Sequence, residues 1–573
     1  MAETLLSPGV LARENDQSFI TSQPIEVGAA LIGPTAKGPV EIPTMVTSYS
    51  EFQAIFGGSV TSGSQQYSYL TSTSANNYFS QGGTSLLVTR VVSGSFTPST
   101  TEDASGTAIL NGDGAEALVL STISEGAIMN ATGSEASNGA LTNGTADNIR
   151  YEIAGTNVDS GVFSLLVRRG DDTTKQKNVL ETWTNLSMDP KAPNYIEKVI
   201  GNTTYTVEND NGDYYVKSTG TYVNQSKYIT VTSVLTPTID YFDNGGTAKS
   251  ALTGSIPVAG SGSFGGATGD LFIGEAKFNE NISATNVQGV NPNDYTSSIN
   301  LMSNKDEYKF NILTAPGLNH TNHATAVNLL VTTAETRQDC IAVVDLRGYN
   351  STVTQITTAA SAFDSSYAAT YWPWLQTIDP NTAQTVWVPA STMIPGVYAF
   401  TDSSSDPWFA PAGLTRGGLG NVIKAERKLT SGNRDSLYTA NVNPIATFPQ
   451  AGVVVFGQKT LQKKASALDR VNVRRLLISL KSYISQVSDN LVFEQNTIAT
   501  RNNFLNQVNP YLESVQQRQG LYAFKVVMDD TNNTADVVDR NQLVGQIYLQ
   551  PTKTAEYILL DFNVLPTGAT FPS

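Results

Sequence analysis

Two stretches of the chain alternate short apolar runs with amphipathic segments. Strands separated by helices of this length are typical of a parallel sheet with helical crossovers. We therefore predict one α/β domain with a parallel sheet, assembled from residues 23–96 and 305–400. Its predicted strands lie at residues 27–33, 85–92, 310–313, 341–345 and 368–372, and its predicted helices at residues 50–57, 75–81, 324–337 and 353–363.

The residues between these stretches have a different pattern and composition. No Lys or Arg occurs from Val91 to Ile149, and Gly, Ser, Thr, Asn and Ala remain abundant to about residue 300. β-Branched and aromatic residues cluster between turn signals, for example at residues 161–169, which is typical of short strands. Residues 97–304 are therefore predicted to be an insertion that forms two β-rich subdomains.

The C-terminal part combines helix and strand patterns. A long helix begins near residue 470, a second is predicted over residues 498–517, and strands follow near residues 523–528, 543–549 and 555–564. An apolar stripe recurs every three or four residues on the first helix and consists of Val473, Leu477, Leu480, Ile484, Val487 and Leu491.

The predicted fold class is therefore a multidomain mixture of α/β and α+β architecture. Residues 401–550 form the predicted C-terminal α+β domain, in addition to the α/β domain and the β-rich insertion. Residues 1–22 are predicted to be an extended arm, because they are too polar to build a domain, and residues 551–573 are predicted to be a strand-forming C-terminal arm. A chain of 573 residues is long enough for several such domains.

Composition and charge exclude several classes of protein. The chain carries a net charge of −15 with a pI near 4.7, which argues against nucleic acid as the main partner, because phosphate binding depends on basic patches. The N-terminus lacks a basic segment followed by an apolar run, and no stretch reaches the roughly 18 apolar residues of a membrane span. We therefore expect no membrane insertion.

Side chains suited to catalysis are scarce. The two histidines, His320 and His323, have His-x-x-His spacing but lack a third ligand, so we interpret them as part of a polar loop at a helix N-terminus. Cys340 cannot form an internal disulfide and is expected in the core, and Asp345 is expected to cap a strand-to-loop turn. Residues 260–265 match Gly-x-Gly-x-x-Gly in letters only and are interpreted as a flexible loop. We predict no catalytic residue, no metal and no cofactor, and hence no enzyme.

One segment reverses the charge of the chain. Residues 459–481 contain seven Lys or Arg and one acid, a net charge of +6, whereas the rest of the chain carries −21. At about 100° per residue, Arg470, Arg474 and Lys481 fall on one flank of the helix, away from its apolar stripe. This basic segment fits a solvated helix face, a docking face for an acidic protein surface or, least well, a nucleic-acid site. We favour the docking face.

Three groups of residues resemble a known family. Gly457-Gln458-Lys459-Thr460-Leu461, followed by Leu468-Asp469-Arg470-Val471-Asn472-Val473-Arg474-Arg475-Leu476, resembles the C-terminal core of contractile bacteriophage tail sheath proteins. Glu181-Thr182-Trp183-Thr184-Asn185-Leu186-Ser187-Met188-Asp189-Pro190 and Trp408-Phe409-Ala410-Pro411-Ala412-Gly413 are also similar to sheath elements. The resemblance is strong for the ends and middle of the chain and weak over residues 97–180 and 201–300.

The resemblance implies a mechanical function. Members of this family assemble as stacked sixfold rings around a tail tube and contract when the baseplate triggers them. It therefore implies a virion structural protein that is assembled in the host cytoplasm, with copies of itself, the tail tube protein, and baseplate and tail terminator proteins as partners. The tube-facing basic helix would be formed by Lys463, Lys464, Arg470, Arg474 and Lys481.

The terminal arms are expected to join neighbouring subunits. An open edge strand offers unpaired backbone groups that an extended segment from another copy can satisfy. The candidate arm residues are Pro8, Gly9, Val10, Phe19, Ile20, Tyr557, Ile558, Leu559 and Phe562. The sequence also leaves alternatives open: the sheath of a tailocin or phage-derived injection machine, a β-rich surface adhesin or S-layer-like protein, and a Rossmann-like enzyme.

Overall fold

A computed structural model describes residues 28–62, 65–102, 108–131, 134–271 and 277–558. The fold is mixed α/β. Its helices are α1 Tyr49–Phe56, α2 Leu70–Ser80, α3 Ile196–Ile200, α4 Ser250–Thr253, α5 Tyr295–Leu301, α6 Ala324–Arg337, α7 Val353–Ala360, α8 Ile394–Ser404, α9 Gly413–Arg416, α10 Ser431–Thr439, α11 Val471–Asp489, α12 Ile498–Gln517 and α13 Ala535–Asp539.

The strands are short and are distributed over several sheets. They are β1 Ala29–Gly33, β2 Thr44–Val46, β3 Val60–Ser62, β4 Gln65–Tyr67, β5 Leu86–Arg90, β6 Pro98–Thr100, β7 Ile109–Leu110, β8 Glu116–Glu125, β9 Ile149–Asn157, β10 Val162–Arg169, β11 Val179–Ser187, β12 Thr204–Asp210, β13 Asp213–Thr219, β14 Ile229–Val234, β15 Gly260–Ser263, β16 Ile312–Asn319, β17 Ile341–Asp345, β18 Ala368–Ala369, β19 Tyr371–Trp372, β20 Leu375–Ile378, β21 Thr385–Val388, β22 Val422–Ala425, β23 Asn443–Phe448, β24 Gly452–Val455, β25 Leu521–Val527 and β26 Gln546–Pro551.

A six-stranded sheet joins the residues that precede and follow the insertion. Its order is β18-β17-β16-β1-β5-β2, and all neighbours pair in parallel except β2, which runs antiparallel to β5. Side chains of β1 alternate between the faces: Ala29 and Leu31 join one hydrophobic cluster, and Ala30 and Ile32 join another. The predicted parallel sheet is therefore confirmed, and both of its faces are buried.

The core of the insertion is built on two antiparallel sheets, and a separate two-stranded sheet pairs β12 with β13. One has the order β11-β10-β9-β15, and the other has the order β14-β8-β6 with β7 also paired to β8. Their buried residues, including Leu120, Ile153 and Phe163, belong to one hydrophobic cluster. The two β-rich subdomains predicted from the sequence thus share a single core.

One sequence interpretation within the insertion is wrong. Residues 260–263 form strand β15 and not a flexible loop, because Gly262 pairs with Tyr151 of β9, where a Cβ would lie 2.6 Å from the tyrosine oxygen. Only glycine allows that close approach. His320 and His323 lie in the turn between β16 and α6, which agrees with the predicted position at a helix N-terminus. His323 is the N-cap residue of α6, and it is buried, at 3% exposed.

The insertion leaves and rejoins the six-stranded sheet through a narrow connection. The backbone N–H of Asn291 donates a 2.7 Å hydrogen bond to the Ser93 hydroxyl, which itself donates to the carboxylate of Asp294. The two ends of the insertion are thus tied together next to β5 and α5.

The C-terminal region packs α11 against α12 and the two-stranded sheet β25–β26. Leu480, Phe504, Val508 and Leu512 form the centre of this cluster. Helix α11 also reaches the six-stranded sheet region, because Val471 and Ile478 belong to a cluster on that sheet. The predicted single apolar stripe is wrong for the start of α11: residues 471–476 are all buried, since α11 is enclosed on several sides there.

Candidate assembly surface at the C-terminal helix pair

The segment that connects β24 to α11 is held in place by backbone pairing. Asn443, which is fully buried, accepts from the backbone N–H of Lys459 at 2.6 Å and donates to the Lys459 carbonyl at 2.7 Å. The N–H of Thr460 donates to the Asp469 carbonyl at 3.0 Å, and the N–H of Val471 donates to the Gln458 carbonyl at 2.8 Å. These bonds close the intervening loop and fix where α11 begins.

The structure separates the basic residues into internal and external groups. The Arg474 side chain is 4% exposed, stacks 4.0 Å from the ring of Tyr367 and donates to the Ser366 carbonyl at 3.2 Å. Arg475 is also buried and pairs with Asp402 at 2.5 Å. The prediction that Arg474 lies on an outward flank is therefore wrong, because α7 and β18 are joined by a loop that covers this side of α11.

Three lysines of the predicted tube-facing set remain on the surface. Lys463, Lys464 and Lys481 are exposed. The ammonium group of Lys463 donates to the Ser361 carbonyl at 2.8 Å, and that of Lys481 donates to the Gln338 side chain at 3.1 Å. A partner surface can reach these charges without disturbing a buried ion pair.

Arg470, the fifth residue of that set, is occupied by the C-terminal segment. Its guanidinium donates to both carboxylate oxygens of Glu556, at 2.7 and 2.9 Å. The same carboxylate accepts from the Tyr438 hydroxyl at 2.7 Å and from the Gln458 amide at 3.2 Å. We call this group of Tyr438, Gln458, Arg470 and Glu556 the Glu556 clamp.

The Glu556 carboxyl of the clamp is ionised at neutral pH. Burial opposes ionisation of Glu556, but the hydrogen bonds from Arg470 and Tyr438 outweigh it and hold the pKa of this carboxyl below its usual value. Burial and the bond to Glu556 raise the pKa of the Tyr438 hydroxyl, so it donates and does not ionise. Because the folded-state pKa of Glu556 is lowered, its contribution is present above the unfolded pKa, about 4.3, and is lost as pH falls below it.

The Glu556 clamp was missed by the sequence prediction. Glu556 was included only as part of a strand over residues 555–564, whereas the described residues 552–558 form no strand. The available signal was electrostatic: an acid in the C-terminal segment of a chain whose main basic run is residues 459–481. Pairing across 86 residues of sequence is not visible from local patterns.

The structure describes only two of the predicted arm residues. Tyr557 and Ile558 are 79% and 77% exposed, so they are unpacked against the rest of this chain. Pro8, Gly9, Val10, Phe19, Ile20, Leu559 and Phe562 lie outside the described residues. The arm assignment stays a prediction.

The sheet β25–β26 offers a place for additional strands. Among the described residues, β25 and β26 pair only with each other. One face packs on α12 through Leu521, while Tyr522 and Tyr548 are 64% and 57% exposed. A two-stranded sheet with open edges is a template for pairing with another chain.

The groups considered for chemistry are engaged in structural contacts. His323 accepts from the Asn319 N–H at 3.1 Å through Nδ1, its Nε2 lies 2.8 Å from the Ser283 carbonyl, and burial lowers its pKa. The prediction of a core cysteine is confirmed: Cys340 is fully buried, and burial raises the pKa of its thiol to about 12. Within the described residues there is no cluster of three metal-ligating side chains, and no helix is both long and apolar enough to cross a membrane.

Asp345 ends β17 as a buried carboxyl. It accepts from the N–H of Ser391 at 3.2 Å and from the Ser391 hydroxyl. Burial raises its pKa to about 7, although both bonds from Ser391 oppose that effect. Asp345 lies at the end of a strand as predicted, but its carboxylate binds Ser391 and not the turn that follows β17.

The raised pKa of Asp345 predicts a pH dependence of stability. Because the folded-state value, about 7, exceeds the unfolded value, its stabilising effect is fully present below about pH 4 and is lost as pH rises to 7, at about 1.4 kcal/mol per pH unit. In Asp345→Asn this pH-dependent contribution to the free energy of unfolding is absent. Melting temperatures at pH 5 and 7 measure it: the decrease should be larger in the wild type than in the variant. Equal decreases would contradict the assignment.

A solved structure shares this fold. The crystal structure of the sheath tail protein from Listeria innocua aligns with a TM-score of 0.51 and 10% identity, covering 92% of this chain and 95% of that one. At that identity the likeness concerns the fold alone. The fold is therefore that of a sheath protein.

The sequence comparisons agree with the fold. The family model for the phage tail sheath protein central domain matches residues 288–461, and the model for the phage tail sheath C-terminal domain matches residues 463–564. The tail sheath protein of Vibrio phage KVP40 is 38% identical over 216 residues, which are 38% of this chain and 31% of that protein. The tail sheath protein of Enterobacteria phage T4 is 35% identical over 259 residues, which are 42% of this chain and 39% of that protein.

The chain belongs to the contractile phage tail sheath family. The aligned parts span between 31% and 39% of the lengths of these relatives. The resemblance proposed from residues 457–476 is confirmed, because that segment lies across the junction of the two matched domains.

Proposed function

We propose that this chain is the structural subunit of a contractile tail sheath. It polymerises as stacked rings around a tail tube and contracts to drive the tube through the host envelope. The observation that carries the proposal is the consecutive match to the central and C-terminal sheath domains, which together extend from residue 288 to residue 564. The role is mechanical and not enzymatic, and the product of assembly is part of a virion formed in the host cytoplasm.

The proposed division of labour follows the sequence domains. Residues 401–550 form the inner sheath core, residues 23–96 with 305–400 form the middle domain, and residues 97–304 project outward. The α11 helix supports this arrangement mechanically, since its side chains join both the C-terminal cluster and a cluster on the six-stranded sheet. A rotation of the C-terminal helix pair is thereby transmitted to the six-stranded sheet.

Neighbouring subunits are linked through their arms. We assign residues 1–22, and the part of the predicted C-terminal arm that follows the Glu556 clamp, as strands lent to other copies, with the open edges of β25 and β26 as the acceptors. Each backbone hydrogen bond formed in this way contributes about 0.5–1.5 kcal/mol net, so a strand of several residues contributes several kcal/mol. The Glu556 clamp supports this assignment because it fixes the point from which Tyr557 and Ile558 leave the molecule.

A docking face for the acidic surface of a tube is assigned to Lys463, Lys464 and Lys481. These side chains are exposed. Arg470 and Arg474 are excluded from this face, because reversing their charges would break internal contacts with Glu556, Ser366 and Tyr367. Baseplate and tail terminator proteins are the further proposed partners.

Reversing the three exposed lysines should weaken the attachment of the sheath to the tube. The variant Lys463→Glu, Lys464→Glu, Lys481→Glu changes the charge of the docking face by −6, and we expect sheath recovered with the tube to fall several-fold, more strongly at low salt. Co-sedimentation with the purified tube protein measures this. The matched control, Lys175→Glu, Lys198→Glu, Lys305→Glu, alters exposed lysines by the same charge. Equal pelleting of both variants would exclude the docking face.

Electron microscopy of the purified protein tests the function as a whole. We expect tubes or stacked rings, formed without nucleotide. A chain that stays monomeric at all concentrations, with and without the tube protein, would contradict the proposal. The same assembly is expected whether the sheath serves a complete phage or a phage-derived injection machine, and the neighbouring genes distinguish these two settings.

A further inference from the structure

A cleft of about 340 Å³ lies between the six-stranded sheet and the C-terminal helix pair. Its wall is largely apolar and aromatic, and includes Tyr78, Phe310, Ile478, Tyr483 and Tyr511. Tyr483 of α11 and Tyr511 of α12 stack with their ring centres 3.8 Å apart. The volume is within the range of roughly 300–1,000 Å³ that is typical of sites for small ligands. One aromatic ring together with a carboxylate therefore fits this cleft.

The cleft has an excess of one positive charge over its carboxylates. Arg475 is 3% exposed and donates to Asp402 through Nη2, whereas its Nη1 has no hydrogen-bond partner among the described residues. Lys309 is an exposed residue of the lining and forms no ion pair within the described ranges. The other acid of the lining, Asp339, pairs with Arg337 at 2.8 Å. Because a buried donor without a partner is costly, the cleft is suited to receive one carboxylate.

The segment between α11 and α12, residues 490–497, exposes large apolar side chains, and we call it the tip. Phe493 is fully exposed, Val492 is 59% exposed, and Ile498, which begins α12, is 64% exposed. The backbone of Phe493 has a φ of 71°, which is unfavourable for a bulky residue. Glu494 is exposed beside it and forms no ion pair with any residue that the structure describes. Backbone strain at an exposed aromatic residue indicates a function in binding.

We propose that the tip of one copy inserts into the cleft of the next copy. Phe493 then packs against the stacked rings of Tyr483 and Tyr511. Glu494 pairs with Lys309 and with the free Nη1 of Arg475. The charges match, since the cleft has one positive charge in excess and Glu494 supplies one carboxylate. The contact rests on the proposed sheath function, because it requires that copies of the chain stand next to one another.

The contact joins two different surfaces of the chain. Helix α11, which carries Tyr483 on the wall of the cleft, ends at Asp489, before the tip begins. Because Phe493 is fully exposed, it does not occupy the cleft of its own chain. Pairing of two unlike surfaces joins copies head to tail, which generates a closed ring or an open helix and not a closed dimer. Stacked rings require contacts of this kind.

The contact is expected in the assembled sheath and not between chains in dilute solution. One loop buries less surface than the roughly 1,200–2,000 Å² of a stable interface. In an assembly, other contacts hold the copies together, and the high effective concentration then allows a small contact to form.

Cross-linking between copies tests the contact. Gln495→Cys places a thiol on the tip and Ser482→Cys places one in the lining of the cleft, while Cys340 is fully buried. In tubes assembled from a mixture of the two single variants, we expect a short bis-maleimide to join them. The yield should be about tenfold or more above that of a mixture of Gln495→Cys with Ser250→Cys, which is exposed on α4. A chain with both Gln495→Cys and Ser482→Cys should give a ladder of covalent oligomers, because every copy offers both surfaces.

The outcomes separate the contact from the sheath function. If tubes of normal length form but the two single variants do not cross-link above the control, the contact is overturned and the sheath function is not. A chain that stays monomeric under all conditions would contradict the sheath function and the contact with it. Cross-linked dimers without higher oligomers, from the chain that carries both substitutions, would show that like surfaces meet and would also overturn the head-to-tail contact.

A charge exchange tests the pairing of Glu494. Glu494→Lys or Lys309→Glu, added to both cross-linking chains, should lower the yield several-fold, because each places like charges opposite one another. Both changes together should restore most of the yield. Phe493→Ser should also lower it, whereas Val223→Ser, at a residue 65% exposed in the insertion, should not. If Glu494→Lys leaves the yield unchanged, Glu494 does not face these cations and the proposal is wrong.

Discussion

Deleting residues 1–20 is expected to abolish tube formation while leaving a folded, soluble chain. We expect the fold to survive their loss, because described residues alone form hydrophobic clusters on both faces of the six-stranded sheet, in the insertion and in the C-terminal region. Assembly should fail because the open edges of β25 and β26 in a neighbouring copy lose their incoming strand. Electron microscopy measures the tubes, and circular dichroism measures the fold.

A triple substitution tests the same arm without changing the length of the chain. Replacing Val10, Phe19 and Ile20 by Ser keeps the arm but removes its apolar anchors. We expect it to resemble the deletion, since alternate side chains of an added strand give the pairing its register. If either variant forms tubes of normal length, the exchange of arms between subunits is not required for assembly and the prediction is wrong.

Removing the charge of Glu556 is expected to release the C-terminal segment. In Glu556→Gln the bidentate bond to Arg470 is lost, and hydrogen bonds to charged groups contribute about 1.5–3 kcal/mol, so the released fraction should rise about 10- to 100-fold. Tryptic cleavage after Lys553 measures that fraction, because a protease needs a locally open chain.

The control for this variant removes a charge elsewhere in the same region. Glu513→Gln changes an exposed residue of α12. We expect it to be cleaved at the wild-type rate. A cleavage rate for Glu556→Gln that equals that of Glu513→Gln would mean that residues 552–558 are held by other contacts, such as the bond from the Thr552 N–H to the Gly520 carbonyl.

Local patterns predicted the elements that carry strong local signals. Helix α6 and strand β17 have the predicted bounds, residues 324–337 and 341–345. Helix α12 also matches its predicted range, and the Thr497 hydroxyl, which accepts from the Thr500 N–H, caps its start. In these segments the apolar periodicity and the residues that begin and end the element indicate the same bounds, and tertiary packing did not change them.

The errors concern contacts between distant parts of the chain. The outward direction assigned to Arg474 failed because Tyr367, more than one hundred residues earlier, covers that side of α11. The low-complexity surroundings of residues 260–265 indicate a loop, yet residues 260–263 form β15, where Gly262 lies opposite Tyr151. The Glu556 clamp likewise joins segments that no local period relates. Sequence patterns report which face of an element is apolar, but not which element covers it.

The hydrogen-bonded connection at Ser93 and Asn291 has a consequence for the variability of such chains. Because both ends of the insertion are tied at one point, the β1 and β16 strands pair in register whatever lies between residues 93 and 291. The length and content of that segment are thereby uncoupled from the six-stranded sheet. A foreign module with neighbouring termini, grafted at this junction, would be carried on each chain and, in the proposed assembly, would be displayed as a periodic array.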